Sequence, residues 1–112
     1  MSYKVIPTLR FKRQTKRLLK KYSSLALELQ TFERDLMENP LQGKSLGQNA
    51  YKARVAVKSK GKGKSGGLRV ITYLITEEEE IYLLTIYDKS EMEGIDNQSL
   101  KEMIKEVGHL KD

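Results

Sequence analysis

Between Glu38 and Glu77 the chain carries eight basic residues, Lys44, Lys52, Arg54, Lys58, Lys60, Lys62, Lys64 and Arg69, and no acid. Residues two apart in a strand share a face, so Lys52, Arg54 and Lys58 are expected to project together, opposite Tyr51, Ala53, Val55 and Val57. Lys60, Lys62 and Lys64 carry the charge into a turn whose glycines let backbone come close to a ligand, and Arg69 opens the next β-run. A cationic groove of this kind suits phosphate, because ammonium and guanidinium groups donate charge-assisted hydrogen bonds to its oxygens. Gly63-Lys64-Ser65 imitates the end of a nucleotide-binding P-loop. Lysine stands at position 58 where that motif needs glycine, and a β-run follows in place of a helix, so the reading is rejected.

The usual hydrolytic inventory is missing. Cysteine is absent and His109, the only histidine, lies near the C-terminal end, where an idle exposed role is expected. Glu77 to Glu80 would point in alternating directions from a strand turn, which serves solubility better than metal binding. No metal or other cofactor is therefore expected. Activating water against a phosphodiester is hard without a metal or a histidine pair, but RNA brings its own nucleophile in the 2′-OH. Such a cleavage needs in-line orientation, a base, donors for the charge growing on phosphorus, and an acid for the leaving 5′-oxygen. Lysine and arginine supply the electrostatic part, and lysine becomes a base where neighbouring cations lower its pKa.

The elements that must position these groups follow from periodicity. Tyr3 to Ile6 reads as a short strand ended by Pro7. From Thr8, a candidate N-cap, Phe11, Leu18, Leu19 and Tyr22 recur at helical spacing; Leu25, Leu29, Phe32 and Leu36 mark a second helix stopped by Asn39-Pro40. Leu41 to Ala50 reads as a loop. Three β-runs, Tyr51–Lys58, Leu68–Ile75 and Ile81–Tyr87, joined by short connections, imply an antiparallel meander. Leu100, Met103, Ile104 and Val107 give a short C-terminal amphipathic helix. The expected fold is α+β: an antiparallel sheet of about four strands, the N-terminal helix hairpin packed on one face, and a short C-terminal helix.

A chain of 112 residues has room for one domain, expected to span residues 1–112, and 38% hydrophobic with 32% charged residues suits a folded globular protein. No cysteine, signal peptide or membrane-spanning stretch is read, which makes the cytoplasm the expected location and leaves no expectation of a membrane partner. The net charge of +6 gathers in two blocks, since eight further basic residues precede Glu28 without an acid among them. Unopposed blocks of this kind attract a polyanion.

Two segments carry a family resemblance. Lys58-Ser-Lys-Gly-Lys-Gly-Lys-Ser-Gly-Gly-Leu-Arg-Val-Ile-Thr-Tyr73 and Ile81-Tyr-Leu-Leu-Thr-Ile-Tyr-Asp-Lys-Ser-Glu-Met92 closely resemble the HigB-type branch of the RelE/ParE toxin superfamily. The resemblance implies a microbial RNase fold and ribosome-dependent, metal-independent cleavage of mRNA through 2′-OH attack in the 30S A site. It also implies neutralisation by a cognate antitoxin, with DNA met only through the antitoxin complex. Carried over by position, Arg69 corresponds to the phosphate-stabilising arginine, and Lys52 and Arg54 to the basic residues of the preceding strand. Tyr87 and Lys89 fall where the family presents further active-site side chains, while Lys58, Lys60, Lys62 and Lys64 would bind RNA backbone. Where RelE has a second arginine just after the last strand and a tyrosine in the tail, this chain has Ser90 and Asp96 at the nearest positions. Two other readings remain open at this point, a ParE-like inhibitor of DNA gyrase and a non-catalytic RNA-binding module. The phosphate-facing Lys/Arg set speaks against the first, and an activity assay separates the second.

Overall fold

The computed structural model describes residues 2–60 and 67–111; Lys62 and Lys64 lie outside the described residues, as do the side chains of Lys60 and His109. Strand β1 (Lys4–Pro7) leads into helices α1 (Leu9–Lys21) and α2 (Leu25–Glu38). Strands β2 (Lys44–Gly47), β3 (Ala50–Val55), β4 (Leu68–Ile75) and β5 (Glu80–Asp88) follow, and α3 (Asn97–Lys111) ends the described chain. Thr8 caps α1 as its sequence position suggests: its hydroxyl accepts from the Phe11 N–H at 3.3 Å and donates to the Leu83 carbonyl at 2.8 Å. One side chain thus satisfies a helix end and fixes that helix to the sheet.

The sheet has the order β1-β5-β4-β3-β2. It differs in two respects from the four antiparallel strands expected. First, β1 pairs parallel with β5, from Lys4 opposite Glu80 to Pro7 opposite Leu83. The intervening helix hairpin carries the chain back before it re-enters the sheet, which is the condition for a parallel pair. Second, the segment read as a loop contains β2, paired antiparallel with β3. The glycines that suggested a loop are what admit this strand: a Cβ on Gly43, at φ +93°, would lie 2.2 Å from the Lys52 carbonyl oxygen. Gly47, Gln48 and Asn49, all at positive φ, make the turn into β3.

The hairpin α1–α2 buries Phe11, Leu18, Tyr22, Leu25, Leu29, Phe32 and Leu36 against Ala53, Val55, Val57, Leu68 and Val70, with Tyr51 packed at the margin. Alternation in β3 therefore works as its sequence implies. On the opposite sheet face Leu100, Met103 and Val107 of α3 pack with Ile71, Leu84 and Tyr87. Because β1 stops at Pro7, the far half of β5 has an open edge, and α1 covers it: the Gln14 side-chain oxygen accepts from the Ile86 N–H at 3.2 Å and from the Thr85 hydroxyl. An edge N–H is thereby paired without another strand.

Glu33 of α2 is half-buried, and desolvation raises its carboxyl above the ordinary 4.5. The stability linked to its neutral form is present below pH 4.5 and is lost as pH rises through the higher folded value. Glu33→Gln keeps the neutral form at every pH. It should raise the thermal midpoint at pH 7, with a gap that closes near pH 4 (about the unfolded carboxyl pKa); a gap independent of pH would contradict this account.

Candidate active site

The cross-strand register brings Arg54, Arg69 and Tyr87 into one row: Arg54 pairs with Arg69 across β3 and β4, and Arg69 pairs with Tyr87 across β4 and β5. The next row begins at Lys44 and Lys52 and continues through Ile71 and Thr85. Leu68 and Val70 face the helix hairpin, so Arg69 between them faces the other side. Gly67 lets β4 begin this close to β3, since a Cβ there would sit 2.2 Å from the Val55 carbonyl oxygen. That contact gives a physical reason for the glycine two residues before the arginine.

Tyr87 reaches the same face only through an irregularity. Ile81 and Leu83 pack on the hairpin, so strict alternation would send Thr85 and Tyr87 the same way. Instead the register between β4 and β5 shifts after Ile71: Ile71 pairs with Thr85, Thr72 pairs with Leu83, and Leu84 is left over as a bulge. Beyond it Ile86 packs on the hairpin and Tyr87 on the opposite face beside Leu84 and Ile71. Bulges commonly re-aim a side chain beside a functional site, and here one delivers a phenol to an arginine.

Burial differs along the row. Arg69 and Tyr87 are each only 4% exposed, whereas Arg54 is exposed and Lys52 half-buried. The Arg69 guanidinium donates to the Leu68 carbonyl at 3.3 Å. Burial pushes the Tyr87 phenol above its ordinary 10.0, and the charge of Arg69 pulls it part of the way back. Its hydroxyl is buried with no hydrogen-bond partner among the described residues. An orphaned polar atom in a closed environment is costly, and next to an arginine it marks a place where a ligand oxygen would be held.

Other candidates fall outside the row. Strand β3 ends at Val55, and Lys58 lies in a single helical turn, Lys58–Lys60, where its backbone N–H donates to Glu28 Oε2 at 2.7 Å. The expected projection of Lys58 beside Lys52 and Arg54 is corrected accordingly: with Arg54 it lines a groove of about 390 Å³ against Ser24, Glu28 and Asp35 of the hairpin. Arg69 faces Arg54, not Lys58. Lys89 follows β5 and is exposed.

Asp88 was not singled out from the sequence and is fully buried. Its carboxylate accepts from the Tyr22 hydroxyl, from the Ser90 N–H at 2.9 Å and from the Ser90 hydroxyl at 2.7 Å. It ties α1 to the turn carrying Lys89 and fixes the end of β5 next to Tyr87. An aspartate followed two residues later by serine is a turn signal that could have revealed it. Among the described residues no group of three or more His, Cys, Asp or Glu could hold a metal ion, and no helix is long and apolar enough to cross a membrane.

A family model described as the RelE toxin of the RelE/RelB toxin-antitoxin system matches residues 3–112. The chain belongs to the RelE toxin family. Among solved structures it is similar to a double arginine-to-alanine mutant of the E. coli toxin RelE in the free state. That likeness has a TM-score of 0.61 at 18% identity and covers 96% of this chain and 99% of the other. At that identity the structural likeness establishes the fold. Membership assigns the chain to the toxin side of a toxin-antitoxin system, with an antitoxin as its partner.

Proposed function

We propose that this toxin, a HigB-type member of its family, is an endoribonuclease that cleaves mRNA on the ribosome by attack of the RNA 2′-OH. The observation that carries the reading is the row Arg54, Arg69 and Tyr87 on one sheet face, with Lys52 beside it. In the proposed mechanism exposed Arg54 and Lys52 draw in the RNA backbone, and Arg69 donates to the equatorial phosphate oxygens as their charge grows. A guanidinium in a closed environment acts there with little screening. Tyr87 stays protonated at neutral pH and donates to the phosphate or the leaving 5′-oxygen. Lys52, in the neighbouring row opposite Ile71, is the candidate base. Lys89 and Lys60, Lys62 and Lys64 of the Gly-Lys segment contribute attraction to RNA.

Arg69 and Tyr87 are covered in this conformation, so substrate engagement includes a local opening. A covered site favours a large partner that positions the substrate, which supports the ribosome as the place of cleavage. The purified protein should cut free RNA slowly and translated mRNA efficiently, in both cases without sensitivity to a chelator selective for transition metals. Rapid cutting of naked RNA would remove the ribosome requirement, and loss of cleavage with such a chelator would remove the metal-independent mechanism.

A further inference from the structure

Helix α1 places seven cations among its thirteen residues and has no acid. At about 100° per residue, Phe11, Leu18 and Tyr22 point to the core, while Arg13, Lys16 and Lys20 lie on the diametrically opposite side. All three are exposed. The available acids meet the flank: Arg10 pairs with Glu106 of α3, and Arg17 and Lys21 pair with Glu91 after β5. On the other flank Leu19 and Glu33 line a pocket between the two helices. Apart from Leu9 at its N-terminal end, the outward strip is thus cationic. Lys12 and Lys16, Arg13 and Arg17, Lys16 and Lys20, and Arg17 and Lys21 are all four apart, and like charges at that spacing weaken a helix. A face needed only for solubility would mix signs.

We infer that this outward face of α1 is a second RNA-binding surface, which grips the backbone of double-helical RNA while the sheet row holds the strand to be cut. Arg69 and Tyr87 lie on the face covered by α3 and α1 packs on the opposite one, so a strand held at that pair does not also cover Arg13, Lys16 and Lys20. The strip has no aromatic side chain on which unpaired bases could stack, which disfavours single-stranded RNA. Its one exposed apolar side chain, Leu9, stands alone at the N-terminal end of the helix, short of the row of anchors at three- and four-residue spacing that an acidic amphipathic helix would need. A straight cationic rod about 20 Å long suits the phosphates of a stiff duplex, which proteins recognise by shape and backbone. The inference takes from the proposed function only that RNA is the polyanion; structured ribosomal RNA is then the natural source of the duplex.

The test measures binding of a labelled 16-base-pair 2′-O-methyl RNA duplex, which cannot be cleaved, across a salt series. Arg13→Gln/Lys16→Gln/Lys20→Gln should lose at least about tenfold in affinity at roughly 0.1 M salt, and its log-log salt slope should flatten by about two to three. Its thermal midpoint should stay the same or rise, because repulsion within α1 is relieved. Unchanged affinity and slope would overturn the inference, as would a lowered midpoint. Loss of binding to polyglutamate with duplex binding intact would overturn it too and would assign the face to an acidic protein. If Arg69→Ala cuts as fast as wild type while duplex binding still depends on α1, the catalytic reading fails and this surface stands.

Discussion

Arg69→Ala is expected to slow single-turnover cleavage of translated mRNA about a hundredfold to a thousandfold at saturating ribosomes, the usual cost of removing one preorganised donor to a developing anion. The expectation follows from where the side chain is held. Arg69 sits in the middle strand of three, flanked by Arg54 and Tyr87, and is 4% exposed, so its guanidinium is positioned before substrate arrives and is shielded from water. Arg69→Lys should recover only part of the rate, since an ammonium keeps the charge and loses the two-pronged geometry that fits phosphate oxygens. Lys62→Ala, in the Gly-Lys segment, should change the rate at saturation little and show its effect as weaker, salt-dependent binding. If Arg69→Ala cleaves near the wild-type rate while Lys62→Ala abolishes cleavage, chemistry resides in the Gly-Lys segment and the row is a binding platform.

Local pattern was enough to expect α1, α2, α3 and the three central strands, because their apolar stripes have one period each and their ends carry plain stop signals. Thr8 as a cap and the inward set Ala53, Val55 and Val57 follow from the same rules. What local pattern could not reveal was pairing. The parallel contact of β1 with β5 joins residues some 75 positions apart (|i−j| of 75 for the Thr8–Leu83 hydrogen bond) and leaves no mark on either segment alone. Strand β2 was masked by Gly43 and Gly47, which read as loop residues although close backbone packing and a tight turn are what they serve. Among the candidate site residues, Arg69 and Arg54 were legible as cations on a strand face. The end of β3 was not: in sequence the alternation from Tyr51 runs on to Lys58, while the strand stops at Val55 and the Lys58 N–H donates to Glu28. The orientation of Tyr87 depends on the Leu84 bulge, which arises from a mismatch of length between β4 and β5 and cannot be seen in β5 by itself.

Tyr87→Phe is expected to lower the cleavage rate by about a hundredfold or more, in the range that general acids contribute, and to leave the fold as stable as before or slightly more stable. The two directions have a common cause. In the free protein the Tyr87 hydroxyl is buried and makes no hydrogen bond among the described residues, so phenylalanine removes an unsatisfied polar atom and keeps the ring packed with Leu84 and Leu100. A tyrosine that served only the core would behave oppositely, losing nothing in rate. The pH dependence adds a second check. Burial outweighs the charge of Arg69 and holds the phenol above 10.0, so it remains protonated throughout the range in which ribosomes work. It can donate a proton there and cannot serve as a base, and the rate ratio of wild type to Tyr87→Phe should stay constant from about pH 6 to pH 9. A ratio that grows tenfold per pH unit over that interval would instead identify the phenolate as the active form, and the assignment of Tyr87 as a donor would have to be abandoned.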